Sequence, residues 1–280
     1  MLNNSQLYLW NDRTLYIGAV PHRTTLCLGG SSFLVFLDGT ARLKFGNHSL
    51  TAQTFLVPVA RTVEIDRHSG RVAVLALDSL GYEYHVLLET MRQSIDGVAW
   101  HSMTEKAVVQ TFRTIARGNY GAKDIYYWMR SLTRPEEYFE KLDYRHDPRV
   151  EKAMTLIKIY GDTPMDIEDC AQQVGLSVEG LQALFEARVG LSMASFRAWR
   201  LLGDAVTFMA EGLNTEQAAI KAGFESEEQY FKVFVRHFGL HPRALAKYSP
   251  GVDIHVYKKP ISSEEPKESL YSAPDFFVFG

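Results

Sequence analysis

Two stretches 48 residues apart decide the fold: Asp166-Ile167-Glu168-Asp169-Cys170-Ala171-Gln172-Gln173-Val174-Gly175-Leu176-Ser177 and Asn214-Thr215-Glu216-Gln217-Ala218-Ala219-Ile220-Lys221-Ala222-Gly223-Phe224-Glu225-Ser226. Each begins with a helix-capping residue, continues with small or apolar residues at helical spacing, and ends in a glycine shortly before a serine. The glycine suits a tight turn, and the serine caps a second helix. In the second stretch, Asn214 with Gln217 and Ser226 with Gln229 predict capping boxes. The sequence therefore predicts two helix-turn-helix units, an arrangement typical of proteins that read successive major grooves of DNA.

The composition is that of a globular protein with room for two domains. The chain has 280 residues, of which 46% are hydrophobic and 22% charged, and its net charge is −3. It contains no run of about 18 apolar residues, and its first residues do not resemble a signal peptide. Cys27 and Cys170 lie far apart without a CxxC motif, which is typical of reduced thiols. We therefore expect a cytoplasmic protein with no membrane partner.

The N-terminal part has the pattern of β-structure. Short apolar runs separated by turn signals occur at Leu15–Val20, Thr25–Leu28, Phe33–Leu37, Ala41–Phe45, Thr54–Val59, Val63–Ile65 and Val72–Leu77. This spacing predicts a sandwich or a small barrel over residues 7–80. Asp38-Gly39 predicts a type I′ hairpin between the third and fourth runs, because that turn needs positive φ at both central residues.

The hydrophobic period becomes helical after residue 82. Three apolar stripes follow, and they predict helices that either pack on the barrel or form a dimer seam: Tyr84, Leu87, Leu88, Met91 and Ile95; Val108, Phe112, Ile115 and Ala116; Ile125, Trp128, Met129 and Leu132. Asp147-Pro148 marks a helix start and a domain boundary. Residues 251–280 predict a mobile tail, although its Phe276-Phe277-Val278-Phe279 end is apolar enough to dock.

A set of residues over about 147–250 resembles the AraC/XylS family of bacterial transcription regulators. The matching elements are Ala171 to Gly175, Leu184-Phe185, Gly190, Phe196, Arg200-Leu201, Ala205, Ala219, Gly223-Phe224, Tyr230, Phe234 and Phe238-Gly239-Leu240-His241-Pro242. The resemblance implies an α+β protein with a cupin-like β sensor domain (1–82), a helical linker or dimerisation region (83–146), a double helix-turn-helix domain (147–250) and a flexible C-terminal tail (251–280).

The function implied by this resemblance is sequence-specific promoter binding, modulated by a small-molecule effector or a protein partner. Expected partners are double-stranded DNA, RNA polymerase, an effector and a second copy of the chain, with no cofactor. Activation and repression both stay open. The candidate DNA-binding residues are Ser177, Val178, Glu179, Gln182 and Ala183 on the first recognition helix, and Ser226, Glu227, Gln229, Lys232 and Arg236 on the second.

The charge of the C-terminal domain favours a rival interpretation. Residues 147–250 contain 11 Lys and Arg against 14 Asp and Glu, a net charge of −3. Because phosphate contacts supply most non-specific affinity, this domain is expected to bind random DNA poorly. Gln182, Gln229 and Lys232 can still read base edges. The alternative is a protein-interaction module that kept the fold while its DNA binding weakened.

Other chemistries find little support in the sequence. His22, His48 and His68 are isolated and no HxH pair occurs, so we expect no metal site. Neither GxSxG nor GxxxxGK is present, so we expect no enzyme. Arg23, Arg42, Lys44 and Arg61 fit either an anionic effector or a solvated rim. We take His22, Arg23 and Arg61 as the candidate effector-binding residues.

Overall fold

Twelve strands and nine helices are present in the part of the chain that the computed structural model describes, residues 5–11, 13–77, 82–133, 147–159, 166–239, 241–242 and 251–257. The strands are β1 (Ser5–Leu9), β2 (Thr14–Ala19), β3 (Thr24–Leu26), β4 (Ser32–Phe36), β5 (Ala41–Phe45), β6 (His48–Ala52), β7 (Thr54–Val57), β8 (Val63–Arg67), β9 (Arg71–Ala76), β10 (Met91–Ile95), β11 (Val98–Ser102) and β12 (Val252–Val256). One sheet has the order β10-β11-β7-β4-β9-β2-β1-β12, and the other has the order β3-β8-β5-β6.

The two sheets enclose an apolar core, and helices cover the other face of the larger sheet. Strand β4 shows this most clearly, because all five of its residues are buried. Leu34 and Phe36 join the core between the sheets, whereas Phe33 and Val35 join the core beneath the helices. Alternate residues of a strand point to opposite faces, so a strand with both faces covered reads as a continuous apolar run.

The predicted hairpin at Asp38-Gly39 is wrong. Strand β4 pairs with β7 and β9, and β5 pairs with β6 and β8, so the two strands lie in different sheets. Asp38 instead accepts a hydrogen bond from the Arg71 backbone N–H at 2.8 Å. The two-residue hairpin forms at Gly46-Asn47, where Phe45 pairs with His48.

Three helices follow the strands of the barrel: α1 (Tyr82–Glu89), α2 (Glu105–Arg117) and α3 (Ala122–Thr133). The apolar stripes of α2 and α3 are buried against the larger sheet, with Phe112, Ile115, Ile125 and Met129 fully enclosed. Burial within the chain makes these residues unavailable as a dimer seam.

The expected helical linker over 83–146 is wrong for residues 91–102, which form the β10–β11 hairpin. Asp96 and Gly97 have φ values of 49° and 79°, as a two-residue turn of the primed type requires. Four of the five residues of β10 are exposed. Met91 and Ile95 have the spacing of the apolar stripe that begins at Tyr84, but they belong to a polar edge strand and not to a helix.

The C-terminal region is all-helical over the described residues of 147–239. Its helices are α4 (Pro148–Ile159), α5 (Ile167–Val174), α6 (Val178–Val189), α7 (Met193–Ala210), α8 (Thr215–Lys221) and α9 (Glu227–Phe238). Helices α4 to α6 share one apolar core and α8 and α9 share another. Helix α7 contributes Met193 and Phe196 to the first core and Leu201, Leu202 and Ala205 to the second. One helix thus joins both units.

The expected flexible tail is also corrected in part. Strand β12 pairs in parallel with β1, in a register that runs from Ser5↔Val252 to Leu9↔Val256. The chain thereby returns from the helical region to the edge of the larger sheet, where backbone pairing holds it. The aromatic end at 276–279 lies outside the described residues. None of the described helices is long and apolar enough to cross a lipid bilayer.

Candidate nucleic-acid interface

The first helix-turn-helix unit consists of α5 and α6. Asp166 caps α5 by accepting a hydrogen bond from the Glu168 backbone N–H at 3.0 Å. Gly175 ends the helix in the left-handed conformation, and Ser177 caps α6 by accepting from the Gly180 N–H at 3.1 Å. Because Leu181 and Phe185 are fully buried, the opposite face of α6 is turned to solvent.

The second unit consists of α8 and α9. Asn214 and Gln217 form the predicted capping box, with reciprocal hydrogen bonds of 2.9 and 3.3 Å. Gly223 makes the turn with a φ of 97°, and Ser226 caps α9 by accepting from the Gln229 N–H at 3.1 Å. Tyr230 and Phe234 anchor the buried side of α9. The same local chemistry therefore builds both units.

The two recognition helices, α6 and α9, present most of the predicted DNA-binding residues to solvent. Exposed residues are Ser177, Glu179, Gln182 and Ala183 on or beside α6, and Ser226, Lys232 and Arg236 on or beside α9. Glu227 and Gln229 are half-buried, and the half-buried Val178 packs against the first helical core. The set thus forms two faces, one for each unit.

Two of these side chains already have partners within α9 or just before it. Lys232 Nζ lies 2.8 Å from Glu228 Oε1, so a carboxylate partly offsets its charge and, by its hydrogen bond, the lysine lowers the pKa of Glu228. Gln229 Oε1 accepts a hydrogen bond from the Glu225 N–H at 2.7 Å. The predicted capping box of Ser226 and Gln229 is therefore displaced by one residue, and Gln229 keeps its amide N–H groups for a base edge.

Gly223→Val should destabilise the second unit by ~1–3 kcal/mol, because a β-branched residue is strongly disfavoured at positive φ. Thermal unfolding of the variant measures this. Gly203→Ala on α7 is the control, since an added Cβ there meets no atom within 4 Å. Alanine also favours a helix, so the control should melt at or above the wild-type temperature. Identical melting of both variants would contradict this account of the turn.

The C-terminal end of α9 packs on the N-terminal β domain, which comprises strands β1–β11 and helices α1–α3. His237 is 4% exposed, and its Nδ1 donates to the Cys27 carbonyl at 2.6 Å, while the Cys27 N–H donates to the His237 carbonyl at 2.8 Å. Burial lowers the pKa of His237, which favours the neutral ring. The second recognition helix is thus fixed to the residue that follows β3.

Helix α7 adds two further contacts to the β domain. The Trp199 ring packs edge to face on His237, with 5.0 Å between ring centroids, and lies so close to Gly29 that a Cβ there would meet it at 2.2 Å. Arg200 Nη1 donates to the Asn11 carbonyl at 2.6 Å. Sequence reasoning missed these contacts, because the partners are about two hundred residues apart and carry no local signal.

The candidate effector residues do not form one site. His22 and Arg23 line the same cavity, together with His68, whose ring centroid lies 4.9 Å from that of His22. These two histidines are therefore not isolated as the sequence suggested. Arg61 lies elsewhere, with Nη2 3.6 Å from Asp96 Oδ2 and its guanidinium over the Phe45 ring. Within the described residues, no three His, Cys, Asp or Glu side chains are grouped as a metal site would require.

Comparisons with known proteins agree with these two helical units. A family model described as a helix-turn-helix domain matches residues 170–248. No match was found among curated proteins. A transcriptional regulator with an AraC-type DNA-binding domain, from Chromobacterium violaceum, is 23% identical over 37% of this chain and 96% of its own, with a TM-score of 0.33.

Two solved structures resemble nearly the whole chain. ToxT from Vibrio cholerae is 15% identical with a TM-score of 0.57, and the match covers 86% of this chain and 100% of ToxT. Wild-type ToxT of strain SCE256 bound to an unsaturated fatty acid gives 15% identity and a TM-score of 0.58, over 90% and 99% of the two chains. The chain therefore has the α+β fold of ToxT, with a helix-turn-helix domain in its C-terminal part.

Proposed function

We propose that the chain is a transcription regulator that binds specific promoter sequences, and that an effector or a protein partner modulates this binding. The observation that carries the proposal is the pair of exposed recognition helices, α6 and α9, attached to a single connecting helix. Helix α7 places Phe196 in one core and Ala205 in the other. One continuous helix thus sets the spacing of the two units, and a protein that reads successive major grooves needs a spacing of about 34 Å.

Each predicted side chain suits a distinct contact. Gln182 can bind adenine through paired hydrogen bonds, and Gln229 can donate its amide N–H groups to a base edge. Glu179 and Glu227 can accept from the amino group of cytosine. Lys232 and Arg236 suit phosphates, as do the N-terminal ends of α6 and α9 at Ser177 and Ser226. Val178 and Ala183 suit the thymine methyl group. Acidic side chains therefore have a role in base recognition even where they weaken phosphate binding.

Modulation is supported by the contact of α9 with the β domain. The reciprocal hydrogen bonds of His237 and Cys27 connect the second recognition helix to that domain. A ligand that shifts β3 would move α9. The ToxT structure with a bound unsaturated fatty acid supports an effector for this fold. Of the partners expected from the sequence, DNA is the one that the two exposed helices support; no described surface identifies a site for RNA polymerase or a second copy.

Selection from random duplexes with the full chain tests the proposal. We expect an enriched sequence with two half-sites about one helical turn apart. Gln182→Ala should relax the preference at one base position by about 1–3 kcal/mol. Lys232→Ala should weaken binding to all sequences. Gln110→Ala, an exposed change on α2, is the matched control and should leave the selected sequence unchanged. Failure to enrich any sequence would overturn the proposal.

The second candidate function is a protein-interaction module with weakened DNA binding. It is favoured by the small amount of positive charge on these faces, because Glu179 and Glu186 outnumber Arg188 on α6 and Lys232 on α9 is paired with Glu228. An acidic surface repels phosphates and lowers affinity for any duplex. The two functions differ in whether wild-type protein binds DNA at low salt.

A further inference from the structure

A cavity of about 490 Å³ opens at one end of the four-stranded sheet. Its lining comes from four segments that neighbour one another there: the β2–β3 loop, the beginning of β5, the end of β6, and the end of β8 with the loop that follows it. The lining residues are His22, Arg23, Thr40, Ala41, Arg42, Thr51, Asp66, Arg67, His68 and Ser69. We call this the cationic cavity, because three of its ten residues are arginines.

The arginines are available to bind a ligand. Arg23 is 82% exposed at its side chain and Arg42 is 48% exposed. Their guanidinium nitrogens lie 4.0 and 3.9 Å from Asp66, which is beyond hydrogen-bond distance. Arg67 forms no ion pair within the described part of the chain. Guanidinium groups bind carboxylates and phosphates through paired hydrogen bonds, so the cavity offers three such groups to an anion.

The one carboxylate in the lining does not cancel this charge. Asp66 is 7% exposed at its side chain and accepts a contact from Lys44 Nζ at 3.0 Å. The Lys44 hydrogen bond lowers the pKa of Asp66, which is therefore ionised at neutral pH. Lys44 matches the charge of Asp66, and Glu64 lies 3.9 Å from the same lysine. The positive charge of Arg23, Arg42 and Arg67 exceeds the negative charge around them.

A hydrogen-bond acceptor lies among these cations. His68 Nε2 donates to the Val20 carbonyl at 2.9 Å, so in the neutral ring Nδ1 carries the lone pair. Burial lowers the pKa of His68, which favours that neutral ring. Nδ1 is buried and has no hydrogen-bond partner in the described residues. A buried acceptor without a partner is costly, and a ligand hydroxyl would satisfy it.

The cavity lies at the opposite end of β3 from the contact with α9. Arg23 immediately precedes β3, and its backbone N–H donates to the Ile65 carbonyl at 2.7 Å. Cys27, which binds His237, immediately follows β3. Apolar side chains including Phe36, Leu43 and Phe55 fill the space between the sheets. A polar ligand therefore fits the end of the barrel better than its interior.

We infer that the cationic cavity binds a compact dianion with a hydroxyl group, either a sugar phosphate or a hydroxy-dicarboxylate, and that this ligand is the effector. The anionic oxygens would contact Arg23, Arg42 and Arg67, and the hydroxyl would donate to His68 Nδ1. Binding would reposition β3 and thereby α9. The effector role rests on the proposed function, whereas the binding itself does not.

Calorimetry with the full chain tests the site, with glucose 6-phosphate, malate and succinate as probes at constant ionic strength. We expect one of the two hydroxylated probes to bind, and this identifies phosphate ester or dicarboxylate as the class. If malate binds, succinate should bind more weakly, because it lacks the hydroxyl. Arg23→Gln and Arg67→Gln should each weaken binding by about tenfold or more, the loss expected for a charge-assisted hydrogen bond. Arg117→Gln, an exposed change at the end of α2, is the charge-matched control.

Three results would overturn the inference in distinguishable ways. Binding of none of the probes would remove the site and leave the DNA selection untouched. Equal binding by wild type and Arg67→Gln would place the ligand elsewhere. Ligand binding that leaves the affinity for the selected duplex unchanged would remove the effector role. A ligand-dependent change in DNA affinity that Arg67→Gln abolishes and Arg117→Gln retains would support it.

Discussion

Glu83→Leu should lower the free energy of unfolding by about 3–5 kcal/mol, because it removes the carboxylate from a buried ion pair with the Arg13 guanidinium. Arg13 Nη2 lies 2.8 Å from Glu83 Oε1, and the two side chains are 1% and 0% exposed. Thr133 Oγ1 donates to the same carboxylate oxygen at 2.8 Å. Arg13 immediately precedes β2, so the pair and Thr133 connect that strand to α1 and α3. Denaturation in urea measures the loss of stability, and amide exchange in β2 shows where it occurs.

The double variant Arg13→Met/Glu83→Leu tests whether the ion pair adds net stability, or whether stability falls only when one member is left behind. Replacing both members of a buried ion pair by apolar residues is often neutral, so the double variant should be more stable than either single one. Some loss should remain, because the Thr133 hydroxyl is then left without these partners. Glu211→Gln, at an ion pair that is half-exposed, should change stability little. Additive effects of the two single changes would contradict the coupling.

The helix-turn-helix units could be predicted from sequence because their determinants are local. A cap, a small residue and a turn glycine lie within a dozen residues of one another, and their roles follow from backbone geometry. The capping box at Asn214 and the turn at Gly223 are both confirmed. The capping box predicted at Ser226 is shifted by one residue, because Gln229 Oε1 accepts from the backbone N–H of Glu225 and not from that of Ser226. Alternative partners one residue apart differ by too little energy for a sequence pattern to separate.

Strand pairing could not be predicted to the same degree. Asp38-Gly39 is a valid turn signal, yet the strands on either side enter different sheets, because burial on both faces of β4 outweighs the local preference. The equivalent turn signal at Asp96-Gly97 lies beside residues that continue an apparent helical stripe, which favours a helix over the hairpin that forms. The sequence around β12 does not predict its pairing, because its partner β1 lies near the other end of the chain. Such pairings depend on tertiary packing.

The candidate sites also combine residues that local sequence patterns predict with contacts that only the folded chain shows. The recognition faces follow from helical periodicity, so their residues could be selected from the sequence. Of the three candidate effector residues, His22 and Arg23 line one cavity, whereas Arg61 lies at Asp96. The partnership of His237 with Cys27 spans 210 residues. Only the folded chain brings those groups together and thereby connects the β domain to α9.

Replacing Glu179 and Glu186 by Arg should raise affinity for random duplex DNA by about 200-fold at 50 mM salt and about 20-fold at 200 mM salt. These figures assume that each new arginine makes one phosphate contact, which steepens the fall of log K with log salt by about 0.9, and that wild type and variant bind equally at about 1 M salt. Both glutamates are exposed on α6, so the change requires no repacking. Filter binding at the two salt concentrations measures the effect.

A charge-matched variant distinguishes direct phosphate contacts from the effect of net charge. Glu89→Arg/Asp124→Arg changes the charge of the chain by the same amount, at exposed positions on α1 and α3. Long-range attraction alone would raise the DNA affinity of both variants equally, whereas direct phosphate contacts would raise only that of the α6 variant. Equal effects would mean that α6 does not face the duplex. The wild type decides between the two candidate functions: a regulator binds its selected sequence with a shallow salt dependence. A protein-interaction module shows no binding even at 50 mM salt, and the α6 variant then creates DNA binding that the wild type lacks.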